Sequence, residues 1–236
     1  MDKQLEKGPN SSLEINKLIY HISRKLCYQI LPLYFASKII GKENIPIKEP
    51  AILASKHTYW FDLVTTACHI DRTIYTFAKT AYFDRTTMIN RLRRWWFKKM
   101  GAFNVNENGD QIGLRPSDID LILEPLKMGS LLLIYPEGTR VEGRIGKFEK
   151  GLGATVRMQA EKNGHPRLPV IPMSPAYSGK PFNSRSSYIP FWERIKVALV
   201  IGKPIYYNGE TSREFTQRIK EKITECYLSA EALVNA

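Results

Sequence analysis

The chain has 236 residues, 43% of them hydrophobic and 25% charged, which is ordinary usage for a folded domain and excludes extended disorder away from the ends. Its net charge of +12 directs it toward anionic partners: nucleic acid, anionic lipid or an acidic carrier protein. Three widely spaced cysteines (Cys27, Cys68 and Cys226) with no C-x-x-C pair exclude a disulfide framework or a zinc ribbon and fit a reducing compartment.

The polar start MDKQLEKGPNSS does not read as a signal peptide. Residues 13–31 are predicted helical, with Leu13, Leu18, Ile22, Leu26 and Ile30 approximating a stripe broken by basic residues, and Pro32 is expected to end or kink the helix. The uncharged run 26–37 is too short for a membrane span, which needs about 20 residues. The segment therefore reads equally as a helix packed on the domain or as an interfacial one. Strands are predicted at 37–40, 51–55 and 74–78, a helix at 86–100, a strand at 102–105 and a helix at 118–128. The apolar run 131–135 suits a buried strand. A helix at 151–162, strands at 170–173 and 196–201, and a C-terminal helix at 213–233 complete the pattern, with one long loop at 178–192. Strands and helices alternate with short connections, which predicts an α/β fold: a single central mixed sheet flanked by helices.

Half of the excess positive charge lies in residues 79–99, where seven basic residues face Asp84 alone. Within that stretch Met88, Leu92, Trp95 and Trp96 fall near one helix face and Arg91, Arg94 and Lys98 toward another. Tryptophan beside arginine and lysine suits the headgroup layer of an anionic membrane. The same residues are no argument for nucleic acid, because that reading leaves the two polar turns below unexplained.

Those turns carry the candidate chemistry. In AILASKHTYWFDLV an apolar strand delivers His57, and Asp62 follows five residues later. In a regular helix that spacing separates the side chains by about 140°. They meet only if His57 lies in the turn and Asp62 in the helix behind it. A carboxylate on one ring nitrogen would fix the tautomer and free the other nitrogen to take a proton from a hydroxyl. In LLLIYPEGTR a second buried strand ends in a polar turn: Glu137, Gly138, Thr139 and Arg140. Gly138 permits close backbone approach, and Arg140 offers a planar fork for phosphate. No G-x-S-x-G elbow, H-E-x-x-H pair, complete Walker loop or G-x-G-x-x-G is present. Neither turn is specific on its own.

Their order is specific. H-x-x-x-x-D followed by E-G-T-R after an apolar strand resembles the glycerolipid acyltransferase family, which includes the bacterial 1-acylglycerol-3-phosphate acyltransferases. The resemblance runs from about residue 33 to residue 203 and takes in GKENIP before the first strand, FEKG at 148–151 and LPVIPM at 168–173. It implies that residues 33–236 form the acyltransferase domain and residues 1–32 a membrane-associated segment carrying an N-terminal amphipathic membrane-interface helix. It implies His57 as general base and Asp62 as its orienting acid. Lys79, Gly101, Glu137, Gly138, Thr139 and Arg140 would serve the acceptor, and Pro172 would shape the acceptor or acyl pocket. The implied reaction moves an acyl group from acyl-CoA or acyl-acyl carrier protein onto a lysophospholipid hydroxyl, most of all that of 1-acylglycerol-3-phosphate. No metal and no cofactor is implied. The implied location is the cytoplasmic face of a membrane rich in anionic lipid, peripheral or monotopic.

Three positions depart from the family pattern. Lys56 stands where asparagine precedes the histidine, Tyr59 where serine is frequent, and Glu107 where an arginine normally binds phosphate. Glu107 leaves room for another lysolipid acceptor. Two other readings stay open: an acyl thioesterase, and a noncatalytic lipid-binding protein on the same fold.

Overall fold

The computed structural model describes residues 13, 15–78, 87–104, 116–148, 157–158, 161–162, 168–179 and 194–236, without the side chains at 89, 93, 104 and 116–120. Seven strands form one sheet: β1 (Phe35–Ile40), β2 (Ala51–Ser55), β3 (Ile74–Ala78), β4 (Ala102–Asn104), β5 (Leu131–Ile134), β6 (Val170–Tyr177) and β7 (Ile195–Ile201). Their order is β1-β7-β6-β2-β5-β3-β4. The five strands from β6 to β4 are mutually parallel, whereas β7 is antiparallel to β6 and β1 runs parallel to β7. The sheet is thus mixed, as the alternation of elements predicts.

Among the described residues, α-helices with defined bounds accompany it: α1 (Lys17–Tyr34), α2 (Asp62–His69), α3 (Met88–Lys99), α4 (Pro116–Lys127) and α5 (Ser212–Asn235). Strand side chains alternate between faces, so each central strand feeds two cores. Ile52 and Ala54 of β2, with Leu132 and Ile134 of β5, pack under Ile122, Leu123 and Leu126 of α4 and Phe215, Ile219 and Ile223 of α5. Ala51, Leu53, Leu131 and Leu133 face the other way, toward Ala67 of α2 and Ile70. Each fully buried aliphatic side chain of this kind contributes about 1.5–3 kcal/mol.

Several boundaries differ from expectation for identifiable reasons. Pro32 lies inside α1 and does not stop it. It falls in the last turn, where the lost N–H costs one bond, and the chain closes the helix beyond it with Phe35 N–H donating to the Leu31 carbonyl. α5 begins one residue earlier than expected because Thr211 and Glu214 form a reciprocal capping box. β6 is twice its expected length. Its first half pairs with β2 from Val170 to Met173, and its second half pairs with β7 from Met173 to Tyr177. The second partner carries β6 past the end of β2 and places Tyr177 over the start of α2. The helix expected at 151–162 and most of the long loop at 178–192 fall outside the described residues, although 157–158 and 161–162 are helical.

α1 is fastened to the amino-terminal ends of the parallel strands. The buried Tyr20 hydroxyl donates to the Arg72 carbonyl (3.2 Å) and accepts from Ile74 N–H (3.1 Å), and Arg24 donates to the Ile70 carbonyl (3.2 Å). Among the described residues no helix is long and apolar enough to cross a membrane.

Candidate active site

β2 ends at Ser55, and the next six residues turn the chain into α2, whose first residue is Asp62. His57 therefore lies in the turn and Asp62 in the helix, the arrangement their spacing requires. His57 Nδ1 lies 2.9 Å from Asp62 Oδ2. The same oxygen accepts Thr58 N–H (2.6 Å) and Tyr59 N–H (2.9 Å), which closes the turn around the carboxylate. Asp62 Oδ1 accepts the Tyr177 hydroxyl at 2.8 Å. The Asp62 side chain is wholly buried, and its negative charge at the first position of α2 is favoured by the helix dipole.

An ionised carboxylate only accepts hydrogen bonds, so Nδ1 carries the imidazole proton. Nε2 then presents a lone pair, and among the described residues it has no hydrogen-bond partner. The imidazole is 17% exposed while its acid is 0% exposed. One ring nitrogen is held inside and the other is available to a ligand. Tyr135, the residue after β5, stacks on the imidazole with ring centroids 4.0 Å apart and planes 21° from parallel. Its hydroxyl is buried without a hydrogen-bond partner, and burial, chiefly, pushes it well above the ordinary phenol value. His21 and His69 are elsewhere: His21 packs edge-on to Tyr20, and His69 Nδ1 meets the Thr65 carbonyl at the far end of α2.

The turn after β5 is bolted to this one. Gly138 adopts φ +64°, a left-handed conformation suited to glycine, and its N–H closes onto the Tyr135 carbonyl at 2.9 Å. Glu137 folds inward. Its Oε2 accepts His57 N–H at 2.9 Å and its Oε1 accepts Gly146 N–H at 2.6 Å. Glycine suits 146, because a Cβ there would lie 2.9 Å from Glu137 Oε1 and 2.7 Å from Val141 Cγ2 and one of the two side chains would have to shift. A second tie joins Val141 N–H to the His57 carbonyl at 2.8 Å. Lys56, also wholly buried, donates to the Val141 carbonyl at 2.5 Å, lies 3.9 Å from Glu137 Oε1, and sits 5.2 Å above the Tyr227 ring of α5. Burial lowers the Lys56 ammonium from its ordinary value, and Glu137 is the first of the charges that oppose that fall.

Seven of the nine residues singled out from sequence are described around or near this centre. His57, Asp62 and Glu137 are in direct contact through the bonds above. Gly138, Thr139 and Arg140 follow on the same turn, with Thr139 and Arg140 exposed. Both Glu137 oxygens are occupied by backbone N–H groups, so in this structure Glu137 fastens the two turns together and does not face an acceptor. Pro172 is buried in β6, in register with Ala54, and packs against Gly202 and Cys226 below the turn.

Gly101 does not join the site. Ala102 is in register with Thr76, Thr76 with Leu133, and Leu133 with Leu53. Gly101 thus lies level with Ile52, five residues before His57, or about 16 Å away at ~3.3 Å per residue. It is a left-handed turn residue (φ +82°) between α3 and β4, where a Cβ would meet the Ile74 carbonyl at 2.8 Å. Lys79 and Glu107 lie outside the described residues. Sequence reasoning missed Tyr177, Tyr135 and Gly146. Lys56 was noted only as a departure, and its burial against Glu137 had no signal in the local pattern.

With this geometry in view, comparison with known proteins is specific. Over 204 residues the chain is 28% identical to the 1-acyl-sn-glycerol-3-phosphate acyltransferase of Bacillus subtilis, covering 83% of this chain and 90% of that one. It is 27% identical over 203 residues to the enzyme of the same name from Pseudomonas aeruginosa, covering 80% and 67%. The fold matches the crystal structure of the 1-acyl-sn-glycerophosphate acyltransferase PlsC from Thermotoga maritima with a TM-score of 0.62, at 21% identity, over 92% of this chain and 78% of that one. Residues 36–175, from β1 to the second half of β6, match the Acyltransferase family, and the chain belongs to that family.

Proposed function

We propose that the chain transfers a fatty acyl group from an acyl thioester to the free hydroxyl of a lysophospholipid, with 1-acylglycerol-3-phosphate as acceptor and phosphatidate as product. One observation carries the reading: a histidine with Nδ1 held by a buried carboxylate and Nε2 unoccupied, at the carboxyl end of a parallel strand. In the reaction Nε2 takes the acceptor's hydroxyl proton as that oxygen attacks the thioester carbonyl. Asp62 stabilises the imidazolium that forms. The tetrahedral intermediate collapses with loss of the thiolate, which receives the proton from Nε2. The new ester bond replaces the thioester bond, and no acyl-enzyme is needed. Arg140, exposed beside the Gly138–Thr139 turn, supplies a cation for the acceptor phosphate, with Lys79 as a second. The names of the relatives support this choice of acceptor, and neither a metal nor a redox cofactor enters the scheme.

The test is an acceptor panel. Purified protein is given labelled acyl-CoA or acyl-acyl carrier protein with lysophosphatidate, lysophosphatidylglycerol, lysophosphatidylethanolamine or no acceptor. Label is expected in phosphatidate above all. Thioester loss at the same rate without acceptor would make the protein a thioesterase. Vesicle binding with no turnover on any acceptor would make it a lipid-binding protein.

The acceptor's chemistry calls for a membrane surface, and we propose that residues 1–32, with α3, dock the enzyme on the cytoplasmic face of an anionic bilayer. Leu18, Ile22, Leu26, Ile30 and Leu33 project from α1 at 43–69% exposure. Their spacing keeps them within about 120° of one another on the helix. On α3, linked to the start of α1 by Asn16 N–H to the Lys99 carbonyl (3.4 Å), Met88, Leu92 and Trp95 are also exposed, with Arg91 beside them. Leaving this much contiguous apolar surface in water is unusual for a soluble face. Ile22→Asp/Leu26→Asp is expected to weaken sedimentation with phosphatidylglycerol vesicles at least tenfold, since each lost apolar contact is worth about 1.5 kcal/mol or more. Unchanged binding by this double variant would remove α1 from the docking surface.

A further inference from the structure

The Asp62 carboxylate is held at both oxygens, and the two holds come from different parts of the chain. Oδ2 is surrounded by the turn itself: His57 Nδ1, Thr58 N–H and Tyr59 N–H. Oδ1 has one partner among the described residues, the hydroxyl of Tyr177, which β6 delivers from 115 residues away. That hydroxyl also lies 3.3 Å from Thr65 Oγ1, one turn along α2 from Asp62, and the Tyr177 ring meets the edge of Tyr59 at 5.3 Å. The phenol is therefore fixed by contacts beyond the carboxylate. Its burial, foremost, and the neighbouring Asp62 charge push it well above the ordinary phenol value, so it remains a proton donor wherever a histidine base can work.

Two consequences follow from elementary chemistry. A carboxylate bonded at one oxygen can rotate about its terminal torsion, which is broad and roughly two-fold. Bonded at both, it keeps Oδ2 in line with His57 Nδ1. A hydrogen bond donated to Oδ1 also draws charge off the carboxylate, which reduces its pull on the imidazolium proton.

We propose that Tyr177 is a positioning residue of the His57–Asp62 pair, setting both the orientation of Asp62 and the pH at which His57 becomes available as a base. This rests on the acyl-transfer reading above for its catalytic meaning, but not for its physical content. Removing the hydroxyl leaves Asp62 Oδ1 buried and unbonded, and shifts carboxylate charge toward Oδ2. Imidazolium is then better stabilised, so His57 retains its proton to higher pH. The other charged or titratable groups around the pair are Lys56, Tyr59, Tyr135, Glu137, Arg140, Glu142 and, from α5, Glu231. None of them bonds to Oδ1 among the described residues.

The experiment compares wild type with Tyr177→Phe by two readouts. In the first, imidazole resonances are followed through a pH titration of the whole protein. Only four histidines are present, so a His57→Gln spectrum assigns His57. The His57 midpoint is expected to move up by about half a unit to one unit in Tyr177→Phe, while His21, His69 and His165 stay in place. In the second, the acid limb of kcat/KM for acyl transfer moves up by the same amount, kcat falls about tenfold and KM for the acceptor stays within twofold. Thr65→Val, which removes the hydroxyl partner of Tyr177 and keeps the side-chain shape, is the second variant, and a smaller upward shift is expected. A His57 midpoint that is unmoved or lowered in both variants overturns the proposal. So does a loss of rate with no displacement of the acid limb, which is the mark of a merely structural role. If no acceptor supports turnover in the wild type, the acyl-transfer reading has failed, and the resonance titration still decides the role of Tyr177.

Discussion

Asp62→Asn is expected to lower kcat for acyl transfer by about 10³–10⁴-fold, and His57→Ala by a similar factor. The reasons differ. Asp62 Oδ2 accepts three hydrogen bonds and Oδ1 one, all from groups that only donate toward it in this arrangement. Asparagine presents an NH₂ to one set of those donors. It can hold His57 with Nδ1 protonated only by turning its NH₂ to Tyr177, whose hydroxyl must then accept and send its proton to Thr65 Oγ1, and the imidazolium loses the anion that stabilises it. His57→Ala removes the proton acceptor but leaves Asp62 its two backbone donors and Tyr177, so it is expected to fold with little loss of stability. The discriminating measurement is the double variant. If the two side chains act as one device, His57→Ala/Asp62→Asn is no slower than His57→Ala alone, because an acid with no base to orient has no further effect. Rate losses that multiply would mean that Asp62 acts on the substrate by another route. Residual transfer within tenfold of wild type in His57→Ala would remove the histidine from the chemistry altogether.

The pair was legible in sequence because its determinants are local. A strand, a turn and a helix start within twelve residues settle where both side chains go, and the helix dipole favours the acid at the first helical position. What was not legible depends on residues far apart in the chain. Tyr177 reaches Asp62 only because β6 gains a second partner in β7 and continues past the end of β2, and nothing in VIPMSPAY announces that extension. Gly101 was placed with the site by the family resemblance, yet the parallel register puts it toward the opposite end of the sheet. Glu137 was expected to serve the acceptor on the strength of the resemblance. Its direction is decided by two inward-pointing N–H groups, those of His57 and Gly146, neither predictable from the motif. Pro32 was read as an end or a kink, and the last turn of α1 takes it in two residues before the helix closes. Periodicity reports which face of an element is buried. It does not report which polar group at the end of that element finds a partner.

Lys56 is where that difference has its largest consequence for stability. Glu137→Ala is expected to destabilise the fold by about 3–5 kcal/mol, read as a fall in the free energy of unfolding in urea. The change leaves an ammonium buried 3.9 Å from a vanished carboxylate and strips two backbone N–H groups of their acceptor. Lys56→Met is expected to cost much less. Methionine refills most of the volume over Tyr227, and the Glu137 carboxylate keeps its two N–H donors. In Lys56→Met/Glu137→Gln neither buried charge remains, and stability is expected to recover to within about 2 kcal/mol of wild type. Destabilisations that simply add would show that the two side chains are not coupled. The pH dependence supplies a second check with a definite sign. Burial lowers the Lys56 value in the folded chain, so across the window between that lowered value and the ordinary lysine value the unfolded chain binds the extra proton. Stability contributed through Lys56 must therefore rise with pH in that window. The buried tyrosines act in the opposite direction at still higher pH, and they are common to both proteins, so the difference between wild type and Lys56→Met isolates the lysine. A difference that is flat through the alkaline range would mean that Lys56 binds its proton alike in the folded and unfolded chains, its burial offset in full by Glu137. A rise that continues down through neutral pH would mean instead that Lys56 is neutral in the fold, leaving the Glu137 anion to be balanced by the His57 and Gly146 N–H groups alone.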